Sequence, residues 1–226
     1  MQIAIHNWMR AETLESTLQR ISALGYTHLE IQGAPESYDS SQVKELLEKY
    51  NIKCWGSVTL MLEERNLLAK DPDQRKRSVE YVLDLAQMVA DLGGKVISFV
   101  PATVGKIIPD ARPEEEWEWA VEGVKEVYEF TEANGLTIGI EPINRFETYF
   151  INRGAQALAL AEAVGPNCGV CLDTFHMNIE EVDMFETIRQ VGSRLVNFHV
   201  ADNNRMAPGM GKLNWEKIMA TLKEIE

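Results

Sequence analysis

Leu136-Thr137-Ile138-Gly139-Ile140-Glu141 is a short apolar run that ends on a carboxylate. Asn134-Gly135 punctuates it on one side and Pro142 on the other, so it reads as a strand covered on both faces. Two later runs repeat the pattern. Val170-Cys171-Leu172 ends on Asp173, and Leu195-Val196-Asn197-Phe198 ends on His199. Helical patterns at 154–164 and 182–191 separate the three. Successive strand–helix units thus each deliver one polar side chain at a strand's C-terminal end.

The same alternation extends to the N-terminus. Strands are expected at 2–6, 26–31, 52–58 and 96–100, and helices at 13–24, 40–50, 71–92, 113–133 and 214–226. Leu14, Leu18, Ile21 and Leu24 fall at helical spacing, and Gly25 stops that helix. Asp39 or Ser40 caps the next one. Pro72 suits the first turn of the third helix, which Gly93-Gly94 ends. About seven such units imply parallel strands with right-handed crossovers. No G-x-G-x-x-G follows the first strand, which counts against an open dinucleotide-binding sheet. The expected fold is therefore α/β, a (β/α)8-type TIM barrel over residues 1–226 as a single domain. It lacks its last strand–helix unit and so is incomplete at the C-terminal end.

The 226 residues are 45% apolar and 25% charged, which fits a folded globular chain rather than a disordered one. A formal net charge of −13 argues against nucleic acid and anionic membrane as partners. The densest basic run, Arg75-Lys76-Arg77, belongs to a helix pattern and reads as a solvated face. Cys168 and Cys171 have C-x-x-C spacing. Cys171 lies in a strand pattern, however, and there is no second pair, so buried free thiols are expected of these two and of Cys54. No basic segment followed by a long apolar stretch opens the chain, and no apolar run is long enough to span a bilayer. A cytoplasmic location is the resulting expectation.

Carboxylates at the ends of buried strands are costly unless compensated, and two close together repel. A divalent cation removes both penalties. Glu141, Asp173 and His199 are therefore the expected metal ligands. Two carboxylates and an imidazole suit Mn²⁺, Mg²⁺, Co²⁺ or Fe²⁺ and do not exclude Zn²⁺. His6 and His176 also fall at strand ends or in the loops that follow, whereas His28 lies within a strand and reads as structural or surface. The polar loops after Glu141, Asp173 and His199 suit a polyhydroxylated ligand. Pro208-Gly209-Met210-Gly211-Lys212 lacks phosphate-loop spacing and reads as a turn.

Three segments carry a family resemblance: Glu141-Pro-Ile-Asn-Arg-Phe-Glu147, Leu172-Asp-Thr-Phe-His-Met-Asn178 and Phe198-His-Val-Ala-Asp-Asn-Asn-Arg205. With Pro208-Gly-x-Gly downstream, they resemble the xylose-isomerase-like sugar isomerase/epimerase superfamily, and within it the ketose 3-epimerases such as D-tagatose and D-psicose 3-epimerase. The similarity is strongest from about Gly139 to Trp215. The resemblance implies Glu141 as both metal ligand and proton-moving catalytic residue. It implies Asp173 and His199 as further metal ligands, Mn²⁺ as the preferred ion, and Glu147, His176 and Arg205 as substrate-binding residues. His6, at the end of the first strand, is added to the substrate-binding set. A homo-oligomer acting on a small sugar or sugar derivative is also implied. The family's second catalytic glutamate belongs to an eighth strand, and 214–226 is helical in pattern, so full activity is an open expectation. Aldose–ketose or hydroxypyruvate-type isomerases and inosose-type dehydratases share the ligand pattern. An abasic-DNA nuclease is disfavoured by charge. A non-catalytic sugar binder would lack proton exchange.

Overall fold

A computed structural model describes residues 2–225. Its strands are β1 (Ala4–His6), β2 (His28–Gly33), β3 (Lys53–Thr59), β4 (Val96–Phe99), β5 (Thr137–Ile140), β6 (Gly169–Asp173) and β7 (Leu195–His199). The helices are α1 (Leu14–Ala23), α2 (Ser40–Lys49), α3 (Pro72–Asp91), α4 (Pro113–Ala133), α5 (Gly154–Val164), α6 (Thr174–Glu180), α7 (Met184–Val191) and α8 (Trp215–Glu224). Every adjacent strand pair is parallel, and the sheet runs β1 to β7 in sequence order.

Local chemistry sets the boundaries. Thr13 caps α1 through Ser16 N, and Asp39 caps α2 through Ser41 N and Gln42 N. Asp71 caps α3 with Pro72 in its first turn. Gly25, Gly93 and Gly135, all at positive φ, follow α1, α3 and α4 and turn the chain into the next strand. The apolar faces of the helices pack on the outside of the sheet in one continuous core, with Leu18, Ile21, Leu85, Val89, Val124 and Leu160 buried beside Ile31, Ile97 and Ile138.

The sheet is strongly curled. β3 and β7 stand four positions apart, about 19 Å in a flat sheet, yet Trp55 Nε1 donates to Asn197 Oδ1 at 3.2 Å. β2 and β7 stand five apart, and Asn197 Nδ2 reaches Glu30 Oε1 at 2.9 Å. Among the described residues β7 does not pair with β1, so the barrel is an open one of seven strands. This is the expected fold one strand–helix unit short of closure.

Two register shifts aim the interior. Leu29 pairs with Cys54 but Glu30 with Gly56, which leaves Trp55 as an extra residue on β3. Val170 pairs with Leu195 but Cys171 with Asn197, which leaves Val196 extra on β7. Bulges of this kind bend the strand and redirect its side chains.

The polar run after Asp173 forms a helix rather than the loop expected from sequence. Asp173 Oδ1 accepts from Phe175 N and His176 N, so the strand's last residue is also the cap of α6. His176 consequently sits in the first turn of a helix. The remaining elements match the expected ones within a few residues at their ends. Cys54, Cys168 and Cys171 are free and buried.

At Gly56 a Cβ would lie 1.9 Å from the carbonyl oxygen of Val96 on β4. Gly56→Ala must therefore push β3 and β4 apart. We expect a stability loss of about 1–3 kcal/mol, read as a lower urea midpoint with unchanged slope.

Candidate metal and substrate site

The polar side chains meet inside the C-terminal mouth of the barrel. Glu141 continues β5 by one residue, its N–H donating to Phe99 O. Asp173 and His199 are register partners at the ends of β6 and β7. His6 and Glu30 are register partners on β1 and β2. Glu30 and Glu141 are buried.

His199 is the hub. Its Nδ1 lies 2.9 Å from Glu141 Oε1 and 3.7 Å from Cys171 Sγ. Its Nε2 lies 3.1 Å from Glu30 Oε2 and 3.3 Å from Oε1. Asn197 Nδ2 donates to Glu30 Oε1 and to Ser98 Oγ. Trp55 Nε1 can only donate, so Asn197 Oδ1 must face it and Nδ2 must face Glu30. His6 Nδ1 lies 2.6 Å from Glu30 Oε2, but off the direction along which a ring N–H donates. The His6 and His199 rings meet edge-on at 4.9 Å.

Charge follows from this packing. Burial alone would raise the pKa of Glu30, but His199 and His6 outweigh it and hold that carboxyl well below its usual range. Burial opposes ionisation of Glu141 in the same way, and His199 again wins. Burial disfavours the His199 imidazolium, yet its anionic neighbours hold its pKa well above the ordinary value. Burial pushes the Cys171 thiol up to about 12, so at neutral pH the two carboxylates supply that attraction. One imidazolium thus stands between two buried carboxylates.

Among the described residues three donor sets bring one ligand atom each within 4.8 Å of one another. They are His6, Glu30 and His199; Glu141, Cys171 and His199; and Glu141, Asp173 and His176. Cis ligands about 2.1 Å from a shared cation stand about 3 Å apart, and the Glu141–His199 separation of 2.9 Å meets that requirement. Glu141 belongs to two sets, with Asp173 in one and His199 in the other. The expected triad is therefore joined through Glu141, and Asp173 and His199 do not share a set. A carboxylate-rich, imidazole-containing donor set fits a hard or borderline divalent cation.

His176 has a different character. Its Nδ1 accepts from Asn144 N at 3.2 Å and lies 2.8 Å from Asn144 Nδ2. A neutral ring that accepts at Nδ1 carries its proton on Nε2 and offers a donor there rather than a lone pair. Asn144 Nδ2 also donates to Glu147 Oε1 at 2.9 Å, and Arg205 Nη1 donates to the same oxygen at 2.9 Å. Arg205 lies over the Phe175 ring at 4.6 Å. It holds a left-handed backbone, φ 61°, unusual for a residue with a long side chain. Arg145, from the same polar segment, instead locks Glu180 of α6 through Nε and Nη2.

The loop carrying Arg205 is wound around buried Asp202. Oδ1 accepts from Asn203 N and Leu213 N, and Oδ2 from Gly209 N and Trp215 Nε1. The 208–212 segment is thus a turn held by this carboxylate, as its sequence implied.

Residues 18–226 match the family described as xylose isomerase-like TIM barrel. The chain belongs to that family. Within it, the chain is 34% identical over 220 residues to a D-psicose 3-epimerase of Ruminiclostridium cellulolyticum, covering 92% of this chain and 73% of that one. It is 29% identical to an L-ribulose 3-epimerase of a Methylomonas species, over 89% of this chain and 71% of that one. A crystal structure of D-psicose 3-epimerase with D-tagatose, from Clostridium cellulolyticum H10, superposes with a TM-score of 0.90 at 30% identity, covering all of this chain and 81% of that one. An AP endonuclease of family 2 from Brucella melitensis shares the fold, with a TM-score of 0.84 at 18% identity. No described helix is long and apolar enough to cross a membrane.

Sequence reading missed Glu30 and Asn197, both central to the site. Glu30 was visible as a charge flanked by Leu29 and Ile31 inside a strand. Asn197 stands two residues before His199 and so faces the same interior.

Burial alone would raise the pKa of Asp202, but its donors, led by Trp215, hold it well below the ordinary 3.8. A depressed folded value stabilises above the unfolded value and loses that stabilisation as pH falls through the folded one. Asp202→Asn turns an acceptor into a donor facing Gly209 N or Trp215. We expect a thermal midpoint several degrees lower than wild type at pH 7. The gap narrows as pH falls below about 4, in paired calorimetric scans.

Proposed function

We propose that the protein is a cytoplasmic, homo-oligomeric and divalent-metal-dependent sugar epimerase that inverts C3 of a ketose through an enediolate. The observation that carries this reading is Glu141, an ionised and buried carboxylate held by His199 at the barrel mouth, in a chain whose relatives are named ketose 3-epimerases. The ligand set of this proposal is Glu141, Asp173 and His199, with Mn²⁺ favoured by its oxygen-rich composition and Mg²⁺, Co²⁺ or Zn²⁺ as alternatives. When bound, such an ion supplies Lewis-acid stabilisation of the substrate's C2 and C3 oxygens.

Glu141 accepts the C3 proton. Its carboxylate is already ionised at neutral pH beside the His199 imidazolium, and a divalent cation taking the place of that positive charge would keep it so. The His176 Nε2–H and the Arg205 guanidinium donate to oxygens near the carbonyl end. Glu147, already fixed by Asn144 and Arg205, accepts from a hydroxyl. Trp8 Nε1 is buried with no hydrogen-bond partner among the described residues and lies beside His6, their rings 5.4 Å apart. Donors in this state suit a ligand rich in oxygen acceptors. Inversion also requires an acid on the opposite face of C3. The family resemblance places it on an eighth strand, outside the seven described here.

The test is incubation with Mn²⁺ and a panel of free and phosphorylated ketoses in D₂O, followed by NMR, with chelator controls. We expect metal-dependent loss of the C3 proton signal and, in Glu141→Gln, a drop in that exchange of at least about a hundredfold. Exchange at C1 instead would reassign the protein as an aldose–ketose isomerase. No exchange from folded, metal-loaded protein would refute the epimerase reading.

A further inference from the structure

We propose that Glu30 is a positioning residue for His199, holding the imidazole with its proton on Nε2 so that Nδ1 faces Glu141 as a ligand atom. This rests on the proposed role of His199 in metal binding and assigns a function to a carboxylate that the mechanism leaves unused. Glu30 is 2% exposed and lies within β2, behind His199 as seen from Glu141. A buried carboxylate in an apolar strand is costly without partners. Its partners here are specific. Asn197 Nδ2 donates to Oε1, and His199 Nε2 approaches both oxygens within 3.3 Å.

The orientation is fixed from outside. Trp55 is the extra residue of the β3 bulge, and its indole N–H locks the Asn197 amide. Asn197 in turn presents its NH₂ to Glu30 and to Ser98. Held in this way, Glu30 can only accept from the His199 ring. Nε2 must then carry a proton; Asn197 Nδ2 also lies 3.2 Å from it but directs its hydrogens to Glu30 and Ser98. The opposite nitrogen, which shares the second imidazolium proton with Glu141 while no cation is bound, is the one a cation beside Glu141 would deprotonate and use as its ligand. Carboxylates behind ligating histidines set tautomer and ring angle, and their loss weakens metal binding by 10–100-fold.

Two measurements test this. In wild-type protein labelled with ¹⁵N-histidine and loaded with diamagnetic Mg²⁺ or Zn²⁺, long-range ¹H–¹⁵N correlation reports which His199 nitrogen is protonated. We expect Nε2–H; a proton on Nδ1 overturns the proposal without any variant. Manganese titration of wild type and Glu30→Gln, followed by electron paramagnetic resonance, is expected to show about 10–100-fold weaker binding in the variant. Unchanged affinity in a folded variant overturns it too. If Glu30→Gln does not fold, the wild-type spectrum alone decides. Wild type that binds no divalent cation refutes the metal reading itself, whereas binding without ketose turnover refutes only the epimerase reading and leaves Glu30 to these two experiments.

Discussion

An imidazole between two buried carboxylates is the constraint around which this barrel is organised. Glu30 and Glu141 come from β2 and β5, and neither could remain ionised in an apolar interior alone. His199, from β7, neutralises part of their charge and ties three separated strands into one mouth. The pairing is good for a site and indifferent for stability. Replacing such a buried set by packed apolar residues commonly costs nothing, while removing one member leaves an uncompensated charge. The arrangement is therefore better understood as a receptor for positive charge than as a structural staple.

The topology makes the arrangement possible. Parallel strands in sequence order put every strand's C-terminal end on the same rim. Curling of the sheet then brings β7 across to β2 and β3. The two bulges finish the work: one releases Trp55 from β3 and the other shifts Asn197 and His199 relative to β6. The side chains of Trp55 and Asn197 meet at the centre, although the two residues lie 142 apart in sequence.

Much of this was legible in the sequence. The apolar runs ending in Glu141, Asp173 and His199 announced both the parallel sheet and the polar rim, because burial on both faces leaves few other readings. Glycines after α1, α3 and α4 marked helix ends because only they enter a left-handed turn freely. Glu30 was not legible as a site residue. Its strand could be recognised, but the direction of its side chain depends on a bulge and on sheet curvature, which are set by contacts distant in the chain. The segment after Asp173 was misread for a different reason. Thr174, His176 and Asn178 resemble loop residues, whereas the carboxylate just before them satisfies the first amides of α6 and makes a helix of them. His176 and Asp173 were singled out from the sequence, but the helix that sets their spacing was not.

The double engagement of Asp173 has a thermodynamic consequence. With Oδ1 anchored to the amides of Phe175 and His176, the side chain would have little rotameric freedom left to surrender if it served as the proposed ligand. That part of the ordering entropy is settled during folding, which is the meaning of preorganisation at this position. The same linkage runs in reverse. Any fraying of the short α6 releases Asp173 and displaces His176 together, so in the proposed site the affinity for a ligand would be coupled to the local unfolding equilibrium of a helix of seven residues.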